Sequence, residues 1–195
     1  RFALRFEVAE LEIKKVVFIS IPRTITLGMN QIGLIFLISF ASKIAEGSIS
    51  VFNLSLNLQS VPLSIIGVSY SIAAFPTLSR LFSSGQRDNF FSQIVSSSRH
   101  IIFWSIPVSV LFIVLRAQIV RTILGAGKFS WEDTRLTAAA LALFTISIVA
   151  QCMVLLFVRG YYAMGNTRKP LFVGLFSGAM IIFFSFILLK AFNGI

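Results

Sequence analysis

Polar positions along this chain are sparse, and the apolar stretches between them are long. Residues 24–42, 47–79, 101–115, 136–158 and 171–189 carry no charged side chain. A helix that crosses a bilayer needs about 20 largely apolar residues at ~1.5 Å rise each. Four of these stretches reach or approach that length, and the one from 101 does so when the serines at 96–98 extend it. The apolar residues do not alternate with polar faces at 3.6-residue spacing, as they would in a soluble bundle. The pattern predicts an all-α, polytopic membrane helix bundle. Its five transmembrane helices fall at about 16–41, 49–78, 96–115, 135–158 and 171–190, in one membrane domain over 1–195.

A sixth, shorter element lies between the third and fourth spans, in "RAQIVRTILGAGKFSWEDTRL". Ile119, Val120, Ile123 and Leu124 fall at helical spacing among basic residues. That predicts an interfacial helix at about 116–124, with Phe129 and Trp131 at headgroup level. Gly125 to Gly127 end it, and Ser130 is the expected N-cap of the next helix, with Asp133 at its third position.

Polar residues inside the spans define the candidate site. In the second span, Asn53, Asn57, Ser60, Ser64, Gly67 and Ser71 follow the 3–4 spacing of one helical face. Polar groups in hydrocarbon are costly unless paired or hydrated, so this face is expected to look into the bundle or a water-filled cavity. Close packing by small residues is the competing reading for the serines and the glycine. Arg23, Thr26 and Asn30 form a similar face on the first span, with Gly33. Arg23 is either a snorkelling anchor or an anion-binding group at the cavity mouth. Pro62 lacks a backbone donor and is expected to kink or interrupt the second helix, and Pro76 to end it. Gly174 and Gly178 read as a close-packing GxxxG face. The candidate substrate-cavity set is therefore Arg23, Thr26, Asn30, Asn53, Asn57, Ser60 and Ser64.

Composition agrees with a lipid environment. The 195 residues are 56% hydrophobic and 12% charged, against about 25% charged in soluble domains. The net charge of +10 does not point to nucleic acid, because the basic residues sit between the apolar runs rather than on one face. With the N-terminus cytoplasmic, ten basic residues fall in the inner segments and six in the outer ones, as the positive-inside bias prefers. Cys152 is the only cysteine and lies within a span, so no disulfide or metal site follows. His100 is the only histidine, and no span holds an acid. No catalytic constellation and no cofactor are expected. The first residue is Arg1, and an odd number of spans leaves the two ends on opposite sides, so the chain reads as part of a longer protein.

Four segments, in order, carry a family resemblance: "IPRTITLGMNQI", "NLQSVPLSIIGVSYSIAAFPTLSRL", "ILGAGKFSWEDTRLTAAAL" and "RGYYAMGNTRKP". Together they resemble lipid II flippases of the MurJ/MviN type, within the multidrug/oligosaccharidyl-lipid/polysaccharide exporter superfamily. The resemblance implies two six-helix lobes around a central cavity, of which this chain supplies most of the second. It implies a bacterial inner-membrane protein that moves a lipid-linked peptidoglycan precursor to the outer leaflet. Its partners would be that precursor, the lipid bilayer and the remaining lobe of the same polypeptide. One position departs from the pattern: where the family carries a cavity arginine five residues before the proline, this chain has Asn57. A related exporter of other lipid-linked oligosaccharides or small molecules, and a non-transporting membrane scaffold, are the alternatives.

Overall fold

The computed structural model describes residues 20–21, 24–25, 28–29, 31–42, 47–125 and 129–192. Among these, all regular structure is helical. The helices are α1 (Gln31–Ala41), α2 (Ser48–Pro62), a π-helical turn (Leu63–Val68), α3 (Ser69–Ser83), α4 (Arg87–Val114), α5 (Arg116–Leu124), α6 (Trp131–Ile146), α7 (Ile148–Ala163) and α8 (Arg168–Phe192). They divide into two compact units, residues 1–40 with 165–195, and residues 41–164. Among the described residues, three helices are long and apolar enough to cross a membrane: Ser48–Ser83, Arg87–Val114 and Arg168–Ile187. The pair α6 and α7 makes a fourth if its two bent halves count as one span. Most of the first expected span lies outside the described residues.

The Ser48–Ser83 helix carries two prolines and stops at neither. Pro62 cannot donate a backbone hydrogen bond. The disturbance is absorbed by the π-helical turn that follows, in which Ser69 N–H reaches the carbonyl of Ser64. A π turn adds one residue to the α ladder, so the face below it is rotated by about one residue, roughly 100°. The buried positions record this. One series runs through Ser55, Leu58, Gln59, Pro62 and Ile66; the next runs through Gly67, Ser71, Ala74 and Leu78. The adjacent residues Ile66 and Gly67 are both buried, so one series hands over to the next with a shift of one residue.

Pro76 does not end the helix, contrary to expectation. The helix runs on to Ser83 and closes in a Schellman motif, where the ending carbonyls find partners. Gly85 has φ 74°, its N–H bonds the Phe82 carbonyl at 3.1 Å, and Gln86 N–H bonds that of Leu81 at 3.0 Å. The closure falls just past Arg80, where the uncharged run has ended.

In the 41–164 unit, α3 and the π turn pack on α7 and α4 through a core of Ile66, Leu78, Phe90, Ile101, Ile148, Cys152 and Leu156. A second cluster joins Leu58 of α2, Val120 of α5, and Ala138 and Leu141 of α6. The short helix α5 is thus pinned to the bundle by fully buried Val120. Phe129 packs against the same cluster, while Trp131 is 69% exposed. In the other unit, Gly178 of α8 is buried and approaches Met29, whose Cε would lie 3.1 Å from an added Cβ.

Ser130 caps α6 as expected. Asp133 N–H bonds its hydroxyl at 3.1 Å, and the Asp133 carboxylate accepts Ser130 N–H at 2.9 Å. Removing the cap with Ser130→Ala is expected to cost about 1 kcal/mol, read as a lower unfolding midpoint of the detergent-purified protein. Helices approach closely at Gly67. A methyl group there would lie 2.9 Å from Cys152 Sγ and 3.1 Å from both Cys152 Cα and Leu155 Cδ1. A backbone atom cannot rotate aside, so Gly67→Ala is expected to destabilise by about 1–3 kcal/mol. An unfolding midpoint equal to wild type would mean that α7 yields freely.

Candidate functional site

Four of the seven candidate cavity residues lie in the described structure. Asn53, Asn57, Ser60 and Ser64 are all exposed and share one face of the second helix. Arg23, Thr26 and Asn30 lie outside the described residues. The expected face does not continue to Gly67 and Ser71. Both are buried, because the π turn swings them inward onto α7.

The four exposed residues differ in what they need. Ser60 Oγ donates to the Asn57 carbonyl at 2.7 Å, and Ser64 Oγ to that of Val61 at 2.9 Å. These hydroxyls are satisfied by their own helix and tolerate any surroundings. The side-chain amides of Asn53 and Asn57 have no hydrogen-bond partner among the described residues. Each brings two donors and an acceptor, and leaving those in hydrocarbon would cost several kcal/mol. Water or a polar ligand at this face is what the two asparagines call for.

The other side of α2 holds a polar group that sequence reasoning left out of the site. Gln59 is only 3% exposed. Its amide donates to the Phe144 carbonyl at 2.9 Å and to Ser147 Oγ at 3.2 Å. Ser147 Oγ in turn donates to the Phe144 carbonyl at 2.6 Å and accepts from the Gln151 amide at 2.6 Å. One hydroxyl thereby uses its single proton and both lone pairs. The network sits where α6 gives way to α7 with a 44° bend. A helix end inside a membrane frees carbonyls that no water can reach, and Gln59 answers one of them from the neighbouring helix. One turn earlier, buried Ser55 donates to the Thr137 carbonyl at 3.1 Å, and Phe52 meets Phe144 edge to face. The signal for the bend was present as Ser147 and Gln151 four residues apart, but a 23-residue uncharged run read as one straight span.

No group of three or more potential metal ligands occurs among the described residues. His100 holds the Ser96 carbonyl through Nδ1 at 2.8 Å and stacks on Tyr70, a packing role on α4.

Long apolar helices, a broken span with an internal amide network and one polar face define a multi-pass helical membrane protein. A family model described as lipid II flippase MurJ matches residues 1–195. The chain belongs to that family. It is similar to the probable lipid II flippase MurJ of Bdellovibrio bacteriovorus, at 30% identity over 92% of this chain and 34% of the relative. The corresponding protein of Rickettsia prowazekii is 30% identical over 90% of this chain and 34% of its own length. The lipid II flippase MurJ of Burkholderia cenocepacia is 22% identical over 87% and 33%. The chain thus spans about a third of the length of the curated relatives it matches. No solved structure matches it significantly.

Gln59→Met keeps the length of the side chain and removes both donors. Hydrogen bonds between membrane helices average about 0.6 kcal/mol, so the loss is expected near 1 kcal/mol. Denaturant unfolding of the protein in mixed micelles measures it; an unchanged midpoint would mean that the Phe144 carbonyl is content with Ser147 alone.

Proposed function

We propose that this chain is part of a lipid II flippase, which moves the lipid-linked peptidoglycan precursor from the inner to the outer leaflet of the bacterial cytoplasmic membrane. The observation that carries this reading is the family match over the whole of 1–195. Such a protein is a transporter, not an enzyme. A sugar–peptide–diphosphate headgroup cannot cross hydrocarbon unaided, so a hydrated cavity must open to each side in turn. The unpartnered amides of Asn53 and Asn57 suit the wall of that cavity, with Ser60 and Ser64 further along the same face; Arg23, Thr26 and Asn30 are the candidates on the preceding span. Movement is a rocking of two lobes, one supplied largely by this chain and one by the remaining polypeptide. The N-terminal end of the chain lies on the cytoplasmic side in this reading, which places the 116–135 segment outside.

A second reading rests on Asn57. An amide there offers a headgroup neutral donors where the resemblance leads one to expect a cation, which suits an exporter of a different lipid-linked oligosaccharide.

The test is the full-length gene in a strain depleted of its own flippase, scored by growth and by lipid II reaching the outer leaflet. Rescue supports the first reading. Failure to rescue by a protein that reaches the membrane and exports another lipid-linked oligosaccharide supports the second. Within a functional protein, Asn57→Leu removes a hydrogen-bonding group worth about 1–1.5 kcal/mol, so transport is expected to fall roughly tenfold. Phe103→Leu, on an exposed apolar face of α4, is expected to leave it unchanged. Equal activity in both variants would remove Asn57 from the cavity wall.

A further inference from the structure

A groove outside the proposed cavity wall lies between the end of α4, the start of α5 and α6, and encloses about 600 Å³. Its lining is graded along its length. Arg116, Arg135 and Trp131 stand at one end, alanines 138, 139 and 142 form the strip beyond, and Ile146 closes the other end. None of Gln59, Phe144, Ser147 and Gln151 is among its lining residues. The groove is therefore separate from the Gln59 network.

The charged end is unsatisfied. Neither Arg116 nor Arg135 takes part in an ion pair among the described residues, and Arg116 makes one hydrogen bond, to the Ile113 carbonyl at 3.3 Å. The nearby Asp133 carboxylate is engaged by Ser130. A third cation stands close, with the Arg121 guanidinium 5.9 Å from the Trp131 ring centre. An exposed tryptophan beside arginines is the side-chain set of a membrane–water interface.

The length of the groove completes the picture. From Arg135 to Ile146 the α-helix rises about 16 Å, close to half of a hydrocarbon core of about 30 Å. The groove thus spans one leaflet, from headgroup level to the break in the α6–α7 span. Its polar equipment suits a phosphate and little else. No asparagine, glutamine or serine lines it, and the one hydroxyl, that of Thr134, is bonded to the Ser130 carbonyl at 2.9 Å. A sugar or peptide headgroup would find no partners there.

We propose that this groove binds an anionic phospholipid of the bilayer, with its phosphate between Arg116 and Arg135 and one acyl chain along the alanine strip to Ile146. The alanines leave room for the chain, since bulkier side chains would fill the groove. In the orientation given above, the lipid belongs to the outer leaflet. This inference does not depend on what the protein transports.

The experiment is native mass spectrometry of the full-length protein in detergent, titrated with phosphatidylglycerol and with phosphatidylcholine. One tightly retained phosphatidylglycerol is expected. Each basic side chain near an anionic lipid contributes about fivefold in affinity, so Arg116→Gln with Arg135→Gln is expected to weaken retention about thirtyfold. Ala139→Phe, which fills the groove and keeps both arginines, is expected to weaken it as well, and serves alone if the double variant does not fold. Retention of phosphatidylglycerol no tighter than of phosphatidylcholine, or unaffected by Ala139→Phe, overturns the proposal. So does displacement by glycerophosphate, which would make the site one for a free anion. Preferential binding of undecaprenyl diphosphate over phosphatidylglycerol overturns it in favour of a polyprenyl lipid.

Discussion

Hydrocarbon offers no hydrogen bonds, and that single constraint decides where the helices of this protein bend, turn and stop. Pro62 removes a donor, and the chain responds with a π turn rather than a gap. Pro76 removes another, yet the helix continues until Gly85 can close it. The α6–α7 break frees carbonyls in mid-span, and the Phe144 carbonyl is met by Ser147 and by Gln59 from α2. In each case the irregularity survives because a specific group takes up the loose bond.

The same constraint sorts α2 into two faces with different chemistry. Ser55 and Gln59 point inward: Gln59 donates to the backbone of α6, and the Ser55 hydroxyl is shared between the Val51 carbonyl of its own helix and Thr137 of α6. Asn53 and Asn57 point outward with their amides unspent. One helix is thus locked to the broken span on one side and open on the other. The contact between α2 and α6 is made by hydrogen bonds as well as by apolar packing.

Much of the architecture was legible because membrane helices announce themselves by length and by the absence of charge. The all-α membrane bundle followed from uncharged runs, and the Ser130 cap from a serine three residues before an aspartate. What was not legible is what depends on register. A six-residue polar face drawn at strict 3.6-residue spacing included Gly67 and Ser71, but the π turn moved both inward. A proline marks where a ladder is disturbed, but whether the helix kinks, ends or gains a residue depends on the neighbouring helices. Gln59 was visible as an odd amide in an apolar run. Its partner carbonyl is 85 residues away, and no local pattern connects them.

The two faces of Asn57 and Arg135 also divide the labour of charge. The described part of the polar stripe holds amides and hydroxyls with no cation. The unpaired guanidiniums of Arg116 and Arg135 lie instead at the mouth of a groove built for one leaflet. Amides and hydroxyls meet a phosphate through directional hydrogen bonds rather than by charge. Exposed arginines hold a phosphate by charge and suit a lipid that stays. In the proposed arrangement, Asn57 leaves Arg23 as the candidate cation of the cavity, while Arg116 and Arg135 serve the interface.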